Sequence, residues 1–209
     1  MTNSHTLLSL FETCIAVVKI QENTDILQTY DVEWYDEGWK EYGCSSASKS
    51  LRVLESYPEI KKILLDTFTS FSSEILGLEN KFEISTSWIT KCEKGDNSPL
   101  HSHGNCFWSG IYYYGEKYCT SSSLIFQHPL FDYIKNYGCS VDPKRKTWAN
   151  KMIEIITPSK NTLILFPSYL KHGIQTHKSN FHRYSLAFNI VPIGEYGSHD
   201  NTYNTSWFM

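Results

Sequence analysis

Hydrophobic and polar positions divide the chain into one helical stretch and a series of strands. Over residues 51–79, Leu51, Val53, Leu54, Ile60, Ile63, Leu64, Phe68, Phe71, Ile75 and Leu78 recur at steps of three and four, the period of a helix with one buried face. Pro58 inside this run predicts a short first helix and a longer second one, because proline fits a first turn and breaks a helix interior. From residue 81 the period falls to two. Residues 81–91 alternate, which puts Phe82, Ile84, Thr86 and Trp88 on one side of a half-buried strand. Further strands are predicted at 109–114, 123–127, 152–157, 162–166 and 182–191, bounded by turns rich in Gly, Pro and Asn. Residues 14–20 are β-branched and predict one more strand. Residues 21–50 read as an irregular connection, a lid or rim. Residues 130–150 read as an insertion in which Lys144, Arg145 and Lys146 form a solvated loop, and the tail from 194 is assigned no element. Many short strands after one helical region predict a mainly β protein, an antiparallel sandwich or jelly roll with helices packed outside.

Composition narrows the class. The 209 residues suffice for one large core, since β sandwiches and barrels of about 200–250 residues are common as single units. The expected organisation is a single domain over 1–209, with its core at about 82–191 and helical support at about 51–79. Net charge is −3, and Lys and Arg are spread along the chain, which disfavours nucleic acid as a partner. The six cysteines show no Cys-x-x-Cys spacing and are expected to be reduced thiols. No basic start with an apolar run marks a signal peptide, and no stretch of about 18 apolar residues spans a membrane, so a cytoplasmic location is expected.

The chemistry gathers around residues 99–114. His101 and His103 stand one residue apart, so in an extended segment both imidazoles project to one side and can share a metal ion. Alone, the pair is equally a pair of surface loop histidines. His172 follows a buried strand and a Pro-Ser turn, where a sandwich can return it to the first two. Three imidazoles with open positions would make a catalytic rather than a structural metal site. In the last strand, period two puts Arg183, Ser185, Ala187 and Asn189 on one face, while Tyr184, Leu186, Phe188 and Ile190 form an apolar face. An inward-facing Arg183 requires an anion: either an internal carboxylate or a bound carboxylate gripped in two-point contact, with the Ser185 hydroxyl as a further donor.

In this order, His-x-His, Ser-Gly-Ile-Tyr-Tyr, Leu-Ile-Leu-Phe-Pro-Ser-x-Leu-x-His and Arg-x-Ser-x-x-Phe-Asn, the chain resembles the non-haem Fe(II), 2-oxoglutarate-dependent oxygenases, in particular an uncharacterised branch common in marine bacteria and phages. The resemblance covers roughly residues 82–191. It implies a double-stranded β-helix (jelly roll, cupin-like) and a dioxygenase that uses Fe(II), 2-oxoglutarate and O2 to hydroxylate a C–H bond, releasing succinate and CO2. By position it implies His101, His103 and His172 as metal ligands and Arg183 and Ser185 as the grip on the far carboxylate. Tyr113 would line that pocket, and Asn105 would contact metal-bound groups. Two departures stand out. His103 occupies the place where most of the superfamily has a carboxylate, and Asn161 occupies a turn position usually held by glycine. The substrate, whether a small molecule or a protein residue, and the oligomeric state are not legible. The alternatives are a three-histidine metalloenzyme that does not use 2-oxoglutarate, such as a cupin-type dioxygenase or a zinc hydrolase, and a non-catalytic metal-binding jelly roll.

Overall fold

In the computed structural model, residues 12–21, 31–35, 45–114, 122–138 and 143–208 are described. The cysteines at 44, 119 and 139 lie outside these residues. Cys14, Cys92 and Cys106 are free thiols. No helix of the described residues is long and apolar enough to cross a membrane.

The strands are β1 (Ala16–Lys19), β2 (Trp34–Tyr35), β3 (Ser46–Ser48), β4 (Lys81–Cys92), β5 (Ser98–His101), β6 (Trp108–Tyr114), β7 (Leu124–Gln127), β8 (Ile153–Ile156), β9 (Thr162–Pro167), β10 (His172–Ile174), β11 (Arg183–Ile193), β12 (Glu195–Tyr196) and β13 (Tyr203–Asn204). They form a seven-stranded sheet in the order β1-β9-β6-β11-β4-β3-β2 and a four-stranded sheet in the order β5-β10-β7-β8. Both are antiparallel throughout. The last two strands pair as a small hairpin in the tail.

One helix, α1 (Pro58–Glu74), backs the larger sheet. Pro58 stands in its first turn, and a 3-10 turn at Val53–Ser56 precedes it, which is the predicted break. Ile60, Leu64 and Phe68, at steps of four, are buried against Phe82, Trp108, Leu163, Leu165, Leu186 and Phe188. Burial of each such side chain contributes roughly 1.5–3 kcal/mol. The helix closes at Gly77, whose φ of 68° glycine adopts without strain, and the Leu78 amide donates back to the Ser72 carbonyl at 3.0 Å.

The other face of the large sheet packs on the small one. Ile111, Tyr113, Leu124, Phe126, Ile164, Phe166, Leu170 and Ala187 fill this second core. Both faces of β6 and β9 are therefore covered, which is why all seven residues of β6 and all six of β9 are buried. Helix on sheet on sheet is the mainly β architecture expected, and the face assignment of β11 holds: Leu186, Phe188 and Ile190 lie under α1, and Ala187 faces the second core.

Three expectations need correction. The alternation predicted for Phe82, Ile84, Thr86 and Trp88 breaks midway: Phe82, Ile84 and Ile89 enter the helix-side core, while Trp88 packs on the opposite core. The cause is a bulge in the pairing with β11 between Asn189 and Ile190, where one extra residue inverts the facing of everything after it. Residues 21–50 are not wholly irregular, because β2 and β3 extend the large sheet at its edge. The stretch 130–150 holds a short helix, α2 (Phe131–Tyr137), ahead of the exposed Lys144, Arg145 and Lys146.

Phe188 lies across Gly110 of the neighbouring strand, its register partner. A Cβ on Gly110 would stand 2.2 Å from the phenyl tip. Gly110→Ala should therefore cost about 1–3 kcal/mol of stability through overpacking. Urea unfolding measures it, and an unchanged midpoint would show that the ring is not seated there.

Candidate metal centre

The ends of the small sheet bring the histidines together. His172 opens β10 and pairs directly with His101 at the end of β5. The chain then turns, and the His103 amide donates to the Ser168 carbonyl at 2.9 Å, fixing the third histidine beside the turn that leads to His172. Ring centroids are 4.5 Å apart for His101 and His172, 5.1 Å for His103 and His172, and 5.3 Å for His101 and His103. One ring nitrogen from each lies within 4.8 Å of the other two. His172 is buried against Phe166 and Phe126, His103 is half-buried beside Trp88, and His101 is exposed. The centre therefore opens to solvent on one side and is walled by aromatic rings on the other.

Each imidazole is oriented through Nδ1. That nitrogen lies 2.9 Å from the Pro99 carbonyl in His101, 3.0 Å from the Leu170 carbonyl in His172, and 2.7 Å from the Asn189 side-chain oxygen in His103. Carbonyl oxygens accept, so Nδ1 carries the proton and Nε2 keeps its lone pair for a metal. Burial lowers the pKa of His103, with the bond to Asn189 opposing, and brings His172 down to about 3, with the Leu170 carbonyl opposing. Both rings are thus neutral at pH 7, the state a ligand needs.

This has a consequence for the metal-free protein. The unfolded chain protonates the residue-172 imidazole near its ordinary 6.5, while the folded chain refuses the proton until about pH 3. In that window the unfolded state binds more protons, so stability is highest above pH 6.5 and falls as the pH falls. The loss from this one group should be about 2 kcal/mol between pH 7 and pH 5. Urea titrations of the metal-free protein at the two pH values check it, and equal stabilities would contradict it.

Arg183 sits on the same interior. It is buried, with 2% of its surface exposed, and its guanidinium lies over the Tyr113 ring at 5.3 Å from the centroid. Tyr113 belongs to the core that also holds Phe126 and Phe166, the rings under His172. Nη1 donates to the Ser122 carbonyl at 3.1 Å, but Nε is buried without a hydrogen-bond partner, and among the described residues no carboxylate pairs with this cation. Of the two anions open from the sequence, the internal carboxylate is therefore excluded there. Ser185, two residues on, faces the same way and shares a 2.6 Å hydroxyl–hydroxyl bond with Thr90. Ser122, whose carbonyl Arg183 bonds, lies just before β7, and Phe126 of β7 pairs with His172, so one short segment links the guanidinium to the imidazoles. Burial raises the Tyr113 phenol, with Arg183 opposing.

A family model described as "Putative 2OG-Fe(II) oxygenase" matches residues 86–189, which contain all of these groups. The chain belongs to the 2-oxoglutarate/Fe(II) oxygenases. Solved oxygenases share its fold. HygX from Streptomyces hygroscopicus, with nickel and 2-oxoglutarate bound, superposes with a TM-score of 0.59 at 10% identity, over 86% of this chain and 83% of that one. An oxidoreductase of the 2OG-Fe(II) oxygenase family from Burkholderia pseudomallei gives 0.54 at 13% identity, over 80% and 75%. The carbocyclase SnoK of nogalamycin biosynthesis gives 0.59 at 8% identity, over 86% and 79%. Identities this low establish the double-stranded β-helix fold. No curated protein sequence matches the chain.

The residues of this oxygenase suit the cofactors of its family. Three neutral nitrogen donors with open positions suit a divalent first-row metal, and a buried cation with an orphaned Nε suits a carboxylate. Asn161 adopts φ 59°, the left-handed turn that its family position implied. Asn105 is exposed on the bend after His103, and no described hydrogen bond joins it to the cluster. Asn189, Ser109, Thr86 and Thr90 were not singled out from the sequence as site residues. The only signal available was that Asn189 shares the Arg183 face of β11. Their contacts run across strands, and strand register is not legible in one strand alone.

Proposed function

We propose that this oxygenase is a dioxygenase that binds Fe(II) through His101, His103 and His172 and the far carboxylate of 2-oxoglutarate through Arg183 and Ser185, within one catalytic domain. It would hydroxylate a C–H bond of its substrate. When bound, iron and co-substrate supply the oxidising chemistry, in which O2 and 2-oxoglutarate are converted to succinate and CO2 as one oxygen atom enters the substrate. The chain's own residues bind, orient and exclude water. Backbone carbonyls and Asn189 hold the three Nε2 atoms inward. Arg183 fixes the length and charge of the acid that can enter. Phe126, Phe166 and Tyr113 keep the inner wall dry, which strengthens the ion pair formed there.

The buried guanidinium, which no carboxylate pairs among the described residues, carries this reading. A three-histidine enzyme that does not use 2-oxoglutarate would leave that cation uncompensated by any described residue, at a cost of several kcal/mol. HygX has been solved with hygromycin B bound, which favours a small molecule as substrate here too. Incubation with Fe(II), 2-oxoglutarate and O2 tests the proposal. Slow succinate release that depends on both cofactors supports it, and iron binding with no succinate under any substrate would favour the non-catalytic alternative.

A further inference from the structure

We propose that Asn189 is a positioning residue for the metal centre. Its side-chain oxygen, facing Nδ1, holds His103 as the Nδ1-protonated tautomer and so presents Nε2 to the ion. The inference rests on the iron reading above for the identity of that ion.

Four contacts join the group. Asn189 Oδ1 lies 2.7 Å from His103 Nδ1 and accepts from Ser109 Oγ at 2.9 Å, Ser109 Oγ itself lies 3.2 Å from Nδ1, and Asn189 Nδ2 donates to Thr86 Oγ1 at 3.0 Å. Ser109 is buried and Asn189 half-buried. His101 and His172 need no such device, because the backbone carbonyls of Pro99 and Leu170 can only accept. His103 alone depends on a side chain that offers an acceptor at one end and a donor at the other. With the amide turned over, Nδ2 would donate to Nδ1, the imidazole proton would move to Nε2, and the ring could no longer ligate. A carboxylate at position 103 would need no tautomer; an imidazole does.

Two readouts test this. One is the His103 tautomer in the metal-free protein at pH 7, read from the ring ¹⁵N shifts. The other is Fe(II) affinity measured without oxygen. The wild type and Asn189→Asp, which can only accept, should both show Nδ1–H. In Asn189→Leu the Nε2–H form should appear, and Fe(II) should bind ten- to a hundredfold more weakly, the range for losing such a contact. Ser109→Ala keeps Asn189 and removes the other group within reach of Nδ1, so Nδ1–H is expected to persist in it, a result that can be read even where the leucine variant does not fold. Mixed tautomers at His103 in Ser109→Ala, or an unchanged Fe(II) affinity in Asn189→Leu, would overturn the proposal. A wild type that binds no Fe(II) while these tautomers shift would remove the iron reading and leave the positioning role standing.

Discussion

Arg183→Met should weaken 2-oxoglutarate binding by about a hundredfold or more and leave the metal-free protein as stable as before, or more so. The two halves of this result have one cause. The guanidinium is buried, stacks on Tyr113, bonds one carbonyl and faces no carboxylate among the described residues. Before co-substrate binds it is a net cost to the fold, and methionine keeps most of its packing volume without the charge. Once a dicarboxylate is present, two charge-assisted bonds at about 1.5–3 kcal/mol each disappear in the variant, which corresponds to two or more powers of ten in affinity. Anaerobic titration of the Fe(II) protein with 2-oxoglutarate, followed by its visible charge-transfer band, measures the first half, and urea unfolding measures the second. A residue that merely braces the sandwich would give the opposite pattern: lost stability with unchanged saturation.

His172→Ala should remove Fe(II) binding, with a loss greater than the ten- to hundredfold associated with a supporting contact. Of the three imidazoles it is the most buried, held by the Leu170 carbonyl and wedged against Phe166 at 4.5 Å between ring centroids. Its neighbours His101 and His103 then offer only two donors, one on an exposed strand end and one on the turn after it. A bound ion stabilises the fold by an amount that grows with its concentration over Kd, about 2.7 kcal/mol at a hundredfold excess. The wild type should therefore unfold at a higher temperature with added Fe(II) or Mn(II), and the variant should not respond. An equal thermal shift in both proteins would take His172 out of the ligand set.

The two predictions rest on residues that were legible in the sequence to different degrees. The histidines could be proposed because a His-x-His spacing and a strand-terminal histidine are local patterns. The face of β11 could be read because alternation over Arg183–Asn189 is uninterrupted. The strand at β6, the buried run of β9 and the break at Pro58 were equally local. What escaped was non-local. The bulge opposite Asn189 inverts the second half of β4, so Ser87 and Ile89 take the core face that Thr86 and Trp88 were expected to share with Phe82. No residue type announces that bulge; it exists only in the pairing of two strands. The Thr90–Ser185 and Asn189–His103 contacts depend on the same register. Likewise β2 and β3, two and three residues long, are strands only because the edge of the large sheet offers them partners.

The convergence of three imidazoles and one guanidinium on a single cofactor set is the central claim, and a crystal structure with Mn(II) in place of Fe(II) and 2-oxoglutarate bound tests it most directly. The account predicts one anomalous peak bonded to Nε2 of His101, His103 and His172 at about 2.1–2.2 Å. It also predicts the keto acid extending from that ion to end on Arg183, with its far carboxylate on Nε and the Ser185 hydroxyl. A metal held by other residues, or 2-oxoglutarate seated away from Arg183, would contradict it.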